Sequence, residues 1–211
     1  MMDISDDIRY VGCDDSTLDL FEGQYKLNYG VTYNSYVILD DKIAIMDTVD
    51  KRTTHEWINH VEDVLQDKIP DYLVVQHLEP DHSGSIQVLA QKYPGMNIVC
   101  SERAAAMLPQ FVDMDLSKRM LPVKEGDTLT LGAHTLSFIM APMVHWPEVM
   151  MTYDDASKTL FSADGFGTFG DSRNRISWIV EARRYYFNIV GKYGASVQAV
   201  LKKAESLDIE N

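Results

Sequence analysis

The sequence predicts an α/β sandwich, with strands in the middle and helices on both outer faces. Two observations carry this. The first half alternates short β-rich runs with helical patterns, and the second half supplies four more strand candidates before two closing helices. No internal repeat, low-complexity run or linker interrupts the 211 residues, a length that can bury a substantial core.

Taken in order, the runs Tyr33 to Leu39 and Lys42 to Met46 flank Asp40-Asp41, which reads as a two-residue hairpin turn. Thr53, Thr54, His55 and Glu56 form a capping box, and Trp57, Ile58, Val61, Val64 and Leu65 follow at helical spacing until Pro70. Tyr72 to Gln76 is a short apolar run of the kind that fills a buried strand, and it feeds straight into His77-Leu78-Glu79-Pro80-Asp81-His82. Gly84 to Tyr93 reads as a helix stopped by Pro94-Gly95. A strand from Asn97 to Cys100 and a helix from Glu102 to about Phe111 come next. Thr128 to Leu131, Thr135 to Met140, Val149 to Tyr153 and Thr159 to Ser162 are the later strands. Helices over about Ile176 to Tyr193 and Ser196 to Ser206 close the chain.

Composition narrows the function classes. Hydrophobic residues make up 45% and charged residues 24%, as in an ordinary soluble domain. No apolar stretch is long enough to cross a bilayer, and the acidic start lacks the pattern of a signal peptide, so the expected location is the cytoplasm. The net charge of −13 repels phosphate backbones, which argues against nucleic acid as a partner. The two cysteines, Cys13 and Cys100, are far apart and form neither a disulfide framework nor a thiolate zinc site. Any metal must therefore be held by nitrogen and oxygen.

Such donors are present. His77, Glu79, Asp81 and His82 place two imidazoles and two carboxylates within six residues, at the end of an apolar strand. A solvated loop could carry all four harmlessly, but a core could not bury them together without a compensating cation. His145 follows the strand Thr135 to Met140, and Asp164 follows the strand Thr159 to Ser162 and precedes Gly165. All three clusters sit where strands end, the rim at which α/β folds build their sites.

With these ligands, the runs Gly30-Val31-Thr32-Tyr33-Asn34-Ser35-Tyr36, Ile45-Met46-Asp47-Thr48-Val49 and His145-Trp146-Pro147-Glu148 resemble the flavodiiron branch of the metallo-β-lactamase superfamily, over essentially the whole chain. The resemblance implies a metallo-β-lactamase-like αββα sandwich over residues 1–211. By the same resemblance His77, Glu79 and His145 hold one iron, Asp81 and His82 lie on a second, and Asp164 bridges them. The implied activity is reduction of dioxygen to water or of nitric oxide to nitrous oxide. Electrons would come from FMN on a flavodoxin-type domain, fed by a rubredoxin-like donor, in a head-to-tail dimer or dimer of dimers. Hydrolase branches generally carry a second histidine where this chain has Glu79. That carboxylate adds a negative charge and a hard oxygen donor, which suits iron. The family's further histidine on the second iron, after the last helices, does not occur before Asn211, and neither does the flavodoxin domain. The domain is thus expected to be a fragment, or to be completed by another polypeptide.

Two rival readings remain open: a metal-dependent hydrolase on the same fold, and an inactive metal-binding domain. His55 and His60, five residues apart on one helix, read as solvent or packing residues, and His134 as a turn residue. The aromatic group Tyr185, Tyr186, Phe187 and Tyr193 reads as core, with one tyrosine able to reach the metal cleft.

Overall fold

A computed structural model of the chain describes residues 3–171 and 178–211. The N-terminal half builds a mixed six-stranded sheet. It begins with β1 (Ile8–Tyr10), while β2 (Cys13–Asp15), β3 (Leu20–Phe21), β4 (Tyr25–Lys26) and β5 (Val31–Tyr33) form two small side ribbons, β2 with β5 and β3 with β4. Next come β6 (Tyr36–Ile38), β7 (Ala44–Met46), helix α1 (Thr54–Leu65) and β8 (Tyr72–Val75). The one-turn α2 (Pro80–Ser83), α3 (Ile86–Lys92), β9 (Asn97–Ser101), α4 (Glu102–Met107) and β10 (Met120–Val123) complete this half. The strand order is β1-β6-β7-β8-β9-β10, parallel from β7 onward. The second sheet is an antiparallel meander of β11 (Thr128–Thr130), β12 (Thr135–Met140), β13 (Met150–Asp154) and β14 (Thr159–Phe161). Helices α5 (Trp178–Tyr185) and α6 (Gly194–Ala204) follow.

Period-two alternation sorts the strand side chains into layers. From the first sheet, Ile38, Ala44, Met46, Val74 and Val99 face inward and meet Leu136, Phe138, Met150 and Phe161 of the second, forming the core between the sheets. The opposite face carries Val37, Ile45, Leu73, Val75 and Ile98. It packs with Trp57, Val61 and Leu65, spaced i, i+4, i+8 on α1, and with Ile86 and Leu89 of α3. Met151 belongs to the same outer cluster as Tyr185, Ile189, Val190 and Val200 from the C-terminal helices. This is the predicted αββα order.

Several local expectations are corrected. The capping box does not form: Thr53 makes no side-chain cap, and α1 is entered through a 3-10 turn at Lys51–Thr53 in which Asp50 accepts from Arg52 N. The hairpin between β6 and β7 has a five-residue loop rather than a two-residue turn. Asp40 is drawn away to accept from His134 N at 2.7 Å, which ties this loop to the turn of the second sheet. The long closing helix is broken, since α5 passes through a π turn at Tyr186–Val190 and a 3-10 turn at Gly191–Tyr193 before α6. Ile176 and Ser177, its expected start, lie outside the described residues. The last residues lie along β14: Leu160 N donates to Asn211 O at 2.9 Å and Asn211 N to Lys158 O at 3.3 Å, the pattern of a parallel pair. No helix among the described residues is long and apolar enough to cross a membrane.

Candidate metal centre

Parallel strands deliver their C-terminal ends to one rim, and the site is built there. The apolar, buried β8 ends at Val75, so the polar residues that follow emerge together. His77 comes directly off the strand, while Pro80, at the first position of α2, starts a turn that presents Asp81 and His82. The link from β12 to β13 brings in His145, and the turn after β14 brings in Asp164. All six sequence-predicted residues therefore converge, in two groups that share Asp164: His77, Glu79, His145 and Asp164, and Asp81, His82 and Asp164.

The spacing within the first group is close. Glu79 Oε2 lies 2.8 Å from His145 Nε2 and 3.4 Å from His77 Nε2. Asp164 Oδ2 lies 3.0 Å from His145 Nε2 and 3.3 Å from His77 Nε2. Donors bonded to one cation at about 2.1 Å sit about 3.0–3.4 Å from each other, so these edges fit a coordination polyhedron. The other oxygen of Asp164, Oδ1, turns away to His82 Nε2 at 2.9 Å, and Asp81 Oδ2 lies 3.8 Å from that nitrogen. One carboxylate thus faces two donor groups with different oxygens. His77 Nε2, Asp164 Oδ2 and Asp81 Oδ1 are buried without a hydrogen-bond partner. Orphaned polar atoms of this kind call for a ligand. The donor set fits a hard or borderline divalent cation.

Charge is balanced by protons in the ion-free geometry. Burial opposes protonation of His77, yet contacts with Asp164, Glu148 and Glu79 hold its pKa well above the ordinary value. His145 is raised to about 9, with burial outweighed by Asp164 and Glu79. Glu79 is lowered to about 2 because its hydrogen bonds to His145 and His77 overcome burial, whereas burial raises Asp81 to about 7. Cations entering here would displace these protons.

The model of the ODP family beta lactamase matches residues 31–208. The chain belongs to this family. It is 34% identical over 221 residues to the anaerobic nitric oxide reductase flavorubredoxin of Aliivibrio fischeri, covering 98% of this chain and 43% of the relative. A diflavin flavoprotein of Synechocystis is 34% identical over 197 residues, covering 90% and 34%. Among solved structures, rubredoxin oxygen:oxidoreductase of Desulfovibrio gigas superposes with a TM-score of 0.90 at 31% identity, covering 97% of this chain and 53% of that one. The flavodiiron protein of Giardia intestinalis gives 0.87 at 29% identity, covering 97% and 51%. This ODP-family chain spans about two-fifths of the flavorubredoxin's length, and its relatives are oxidoreductases.

Around the six residues, the ODP-family chain holds supports that sequence reasoning did not assign. Glu148 is buried and accepts from His77 Nδ1 at 2.8 Å and from Leu78 N at 3.0 Å. Asp47 follows β7 with φ of 53°, accepts from Gln76 N at 2.7 Å, and faces His82 Nδ1 at 3.1 Å. Both fix imidazole orientation, as carboxylates behind metal-ligating histidines do. Their signals were available: Glu148 ends the run His145-Trp146-Pro147-Glu148, and Asp47 terminates a strand. Of the aromatic group, Tyr185 is the one that reaches the cleft, where it lines the same cavity as Asp164. Burial and the nearby carboxylates raise its hydroxyl pKa well above the ordinary value. A Cβ at Gly167 would sit 2.9 Å from both the Asp164 carbonyl and the Tyr185 ring, so that close approach requires glycine. His134 does lie in a turn, but buried between Asp154 (2.7 Å) and Asp7 (2.9 Å).

Proposed function

We propose that this chain is the diiron domain, over residues 1–211, of an enzyme that reduces dioxygen to water or nitric oxide to nitrous oxide. His77, Glu79 and His145 would hold the first iron, Asp81 and His82 the second, and Asp164 would bridge them. The observation that carries this reading is the divergence of the two Asp164 oxygens toward separate donor groups. Glu79 favours iron over zinc, because its charge stabilises a higher oxidation state and zinc has no redox chemistry. A diiron centre held by these residues would pass on electrons from its donor, four for dioxygen to water and two for coupling two nitric oxide molecules.

The protein's own groups bind, orient and enclose. Glu148 holds His77 and Asp47 holds His82, so both histidines present a fixed nitrogen. Trp146 stands edge-on to His77, ring centres 5.2 Å apart, and excludes water from that flank. Asp81, His82, Asp164 and Tyr185 line a cavity of about 480 Å³, where the Tyr185 hydroxyl can donate a hydrogen bond to a bound diatomic.

The electron source in this reading is FMN on a flavodoxin-type domain, reduced by a rubredoxin-like donor, in a cytoplasmic head-to-tail homo-oligomer. Support comes from the flavorubredoxin and rubredoxin oxidoreductase relatives. An exposed apolar strip beside the cavity, Phe166, Trp178, Ile179, Val180 and Phe187, gives such a domain ground to dock on. The test is elemental analysis of protein made anaerobically with ample iron. Iron bound in preference to zinc is expected; stoichiometric zinc without iron would favour the hydrolase reading instead.

A further inference from the structure

A second set of metal-binding side chains comes together where helix α1 meets the β2–β5 ribbon, and it shares no residue with the six above. On α1, Trp57, Val61 and Leu65 form the buried stripe. Glu56 and His60 each stand one residue before a member of that stripe, so they line its border, Glu56 exposed and His60 half-buried. Their i, i+4 spacing projects both from one side of the helix, as a helical metal pair requires. Facing them is Cys13, the first residue of β2, buried at 2% exposure.

Cys13 Sγ lies 3.9 Å from His60 Nδ1, and with the Glu56 carboxylate the set offers three donor atoms, all within 4.8 Å of one another. Sulfur and nitrogen bonded to one tetrahedral zinc sit about 3.6 Å apart, so a small side-chain shift closes this edge. His60 Nδ1 also meets the carbonyl oxygens of Val11 and Gly12, each at 3.2 Å. One N–H shared by two carbonyls at the long end of the hydrogen-bond range binds neither well, and the carbonyl dipoles favour a cation in the proton's place. Burial, then the charge of Glu56, push the Cys13 thiol up to about 12, so it is no nucleophile at neutral pH. A thiophilic cation that displaces its proton would satisfy the thiolate instead.

We propose that Cys13, Glu56 and His60 form a separate site for a thiophilic divalent cation of the zinc class, with water in the fourth position. Cysteine spacing did not point to it, because the other donors come from α1 rather than from a second cysteine. The cation would pin the ribbon to the helix. Cys13 pairs with Tyr33 of β5, and Val31, Thr32 and Tyr33 of that strand line the cavity beside Asp164, so the pin would brace the cavity wall from behind.

The experiment titrates cobalt(II) into the 211-residue chain with its thiols kept reduced. A thiolate bound to cobalt gives an intense charge-transfer band in the near ultraviolet, whereas imidazole and carboxylate ligands do not, so the six-residue centre is silent in this window. The wild type should show the band, and zinc should displace it. Cys13→Ser should abolish it and Cys100→Ser should leave it. Glu56→Gln and His60→Gln should each move its midpoint to higher cobalt concentration by at least about tenfold, the least that changing a group merely behind a ligand costs. Circular dichroism checks that each variant is folded. If Cys13→Ser does not fold, the two helix variants, changed at the border of the buried stripe, decide on the midpoint alone. No band in the wild type, a band that survives Cys13→Ser, or a midpoint unmoved in either helix variant would overturn the site. The two-metal reading is untouched by any of these results, since every variant keeps all six of its residues.

Discussion

Glu148 offers a graded test of the centre, because of the six candidate metal-site residues its carboxylate touches His77 alone. Its Oε1 accepts from His77 Nδ1 at 2.8 Å and from Leu78 N at 3.0 Å, in a site where Glu148 is 1% exposed. Glu148→Gln keeps an oxygen that can accept both bonds and removes only the charge. First-metal affinity should fall about tenfold, the low end for losing a carboxylate behind a ligating histidine. Glu148→Ala removes the acceptor as well. His77 is then free to rotate and Leu78 N is left buried without a partner. Affinity should fall about a hundredfold, and stability by about 1–3 kcal/mol from the unsatisfied amide. Metal titration monitored by absorption gives the affinities, and denaturant unfolding of the metal-free protein gives the stability. Equal losses in the two variants would refute the orienting role of the acceptor, and no loss in Glu148→Gln alone would refute the charge argument. No loss in either would show that His77 is not a ligand.

Asp164→Asn should lower metal stoichiometry from two to one, because one amide oxygen cannot serve both groups; a retained coupled diiron spectrum would contradict the bridge. A chelator titration should remove one iron well before the other. The second group has Asp81, His82 and the shared Asp164, against four donors for the first, and two irons leaving together would count against this assignment. His134→Ala should destabilise the fold by about 3 kcal/mol by leaving the fully buried Asp154 without a cationic partner and with only Ser157 donating to it, lowering the melting temperature by about 6–12 °C. Burial lowers the His134 pKa, but hydrogen bonds to Asp154 and Asp7 outweigh it and raise the net value. The stabilisation is therefore full below the unfolded value of about 6.5 and declines as pH rises through the folded one. A wild-type-to-mutant gap that stays constant from acid to alkaline pH would refute it.

The central strands were legible because they are apolar and sharply bounded: Tyr72–Val75, Asn97–Ser101 and Thr135–Met140 fall within a residue of expectation. Strands at the margins were not. β2 reads Cys-Asp-Asp and β10 contains Pro122, tolerated because β10 is the edge of its sheet. The capping box failed because a neighbouring turn took its hydroxyl. Asp50 caps an earlier turn, and the Thr53 hydroxyl donates to the Asp50 carbonyl instead of capping α1. The hairpin turn is longer than expected, and Asp40 accepts from Asp41 N through one oxygen and from His134 N across the sandwich through the other.

The site was legible for a different reason. Its donors come in a tight run after one strand and singly after two others, and strand ends share a rim, so chain position alone implied convergence. What chain position could not supply was direction. Which oxygen of Asp164 faces which histidine, and that Glu148 rather than solvent stands behind His77, depend on side chains arriving from separate segments of the chain.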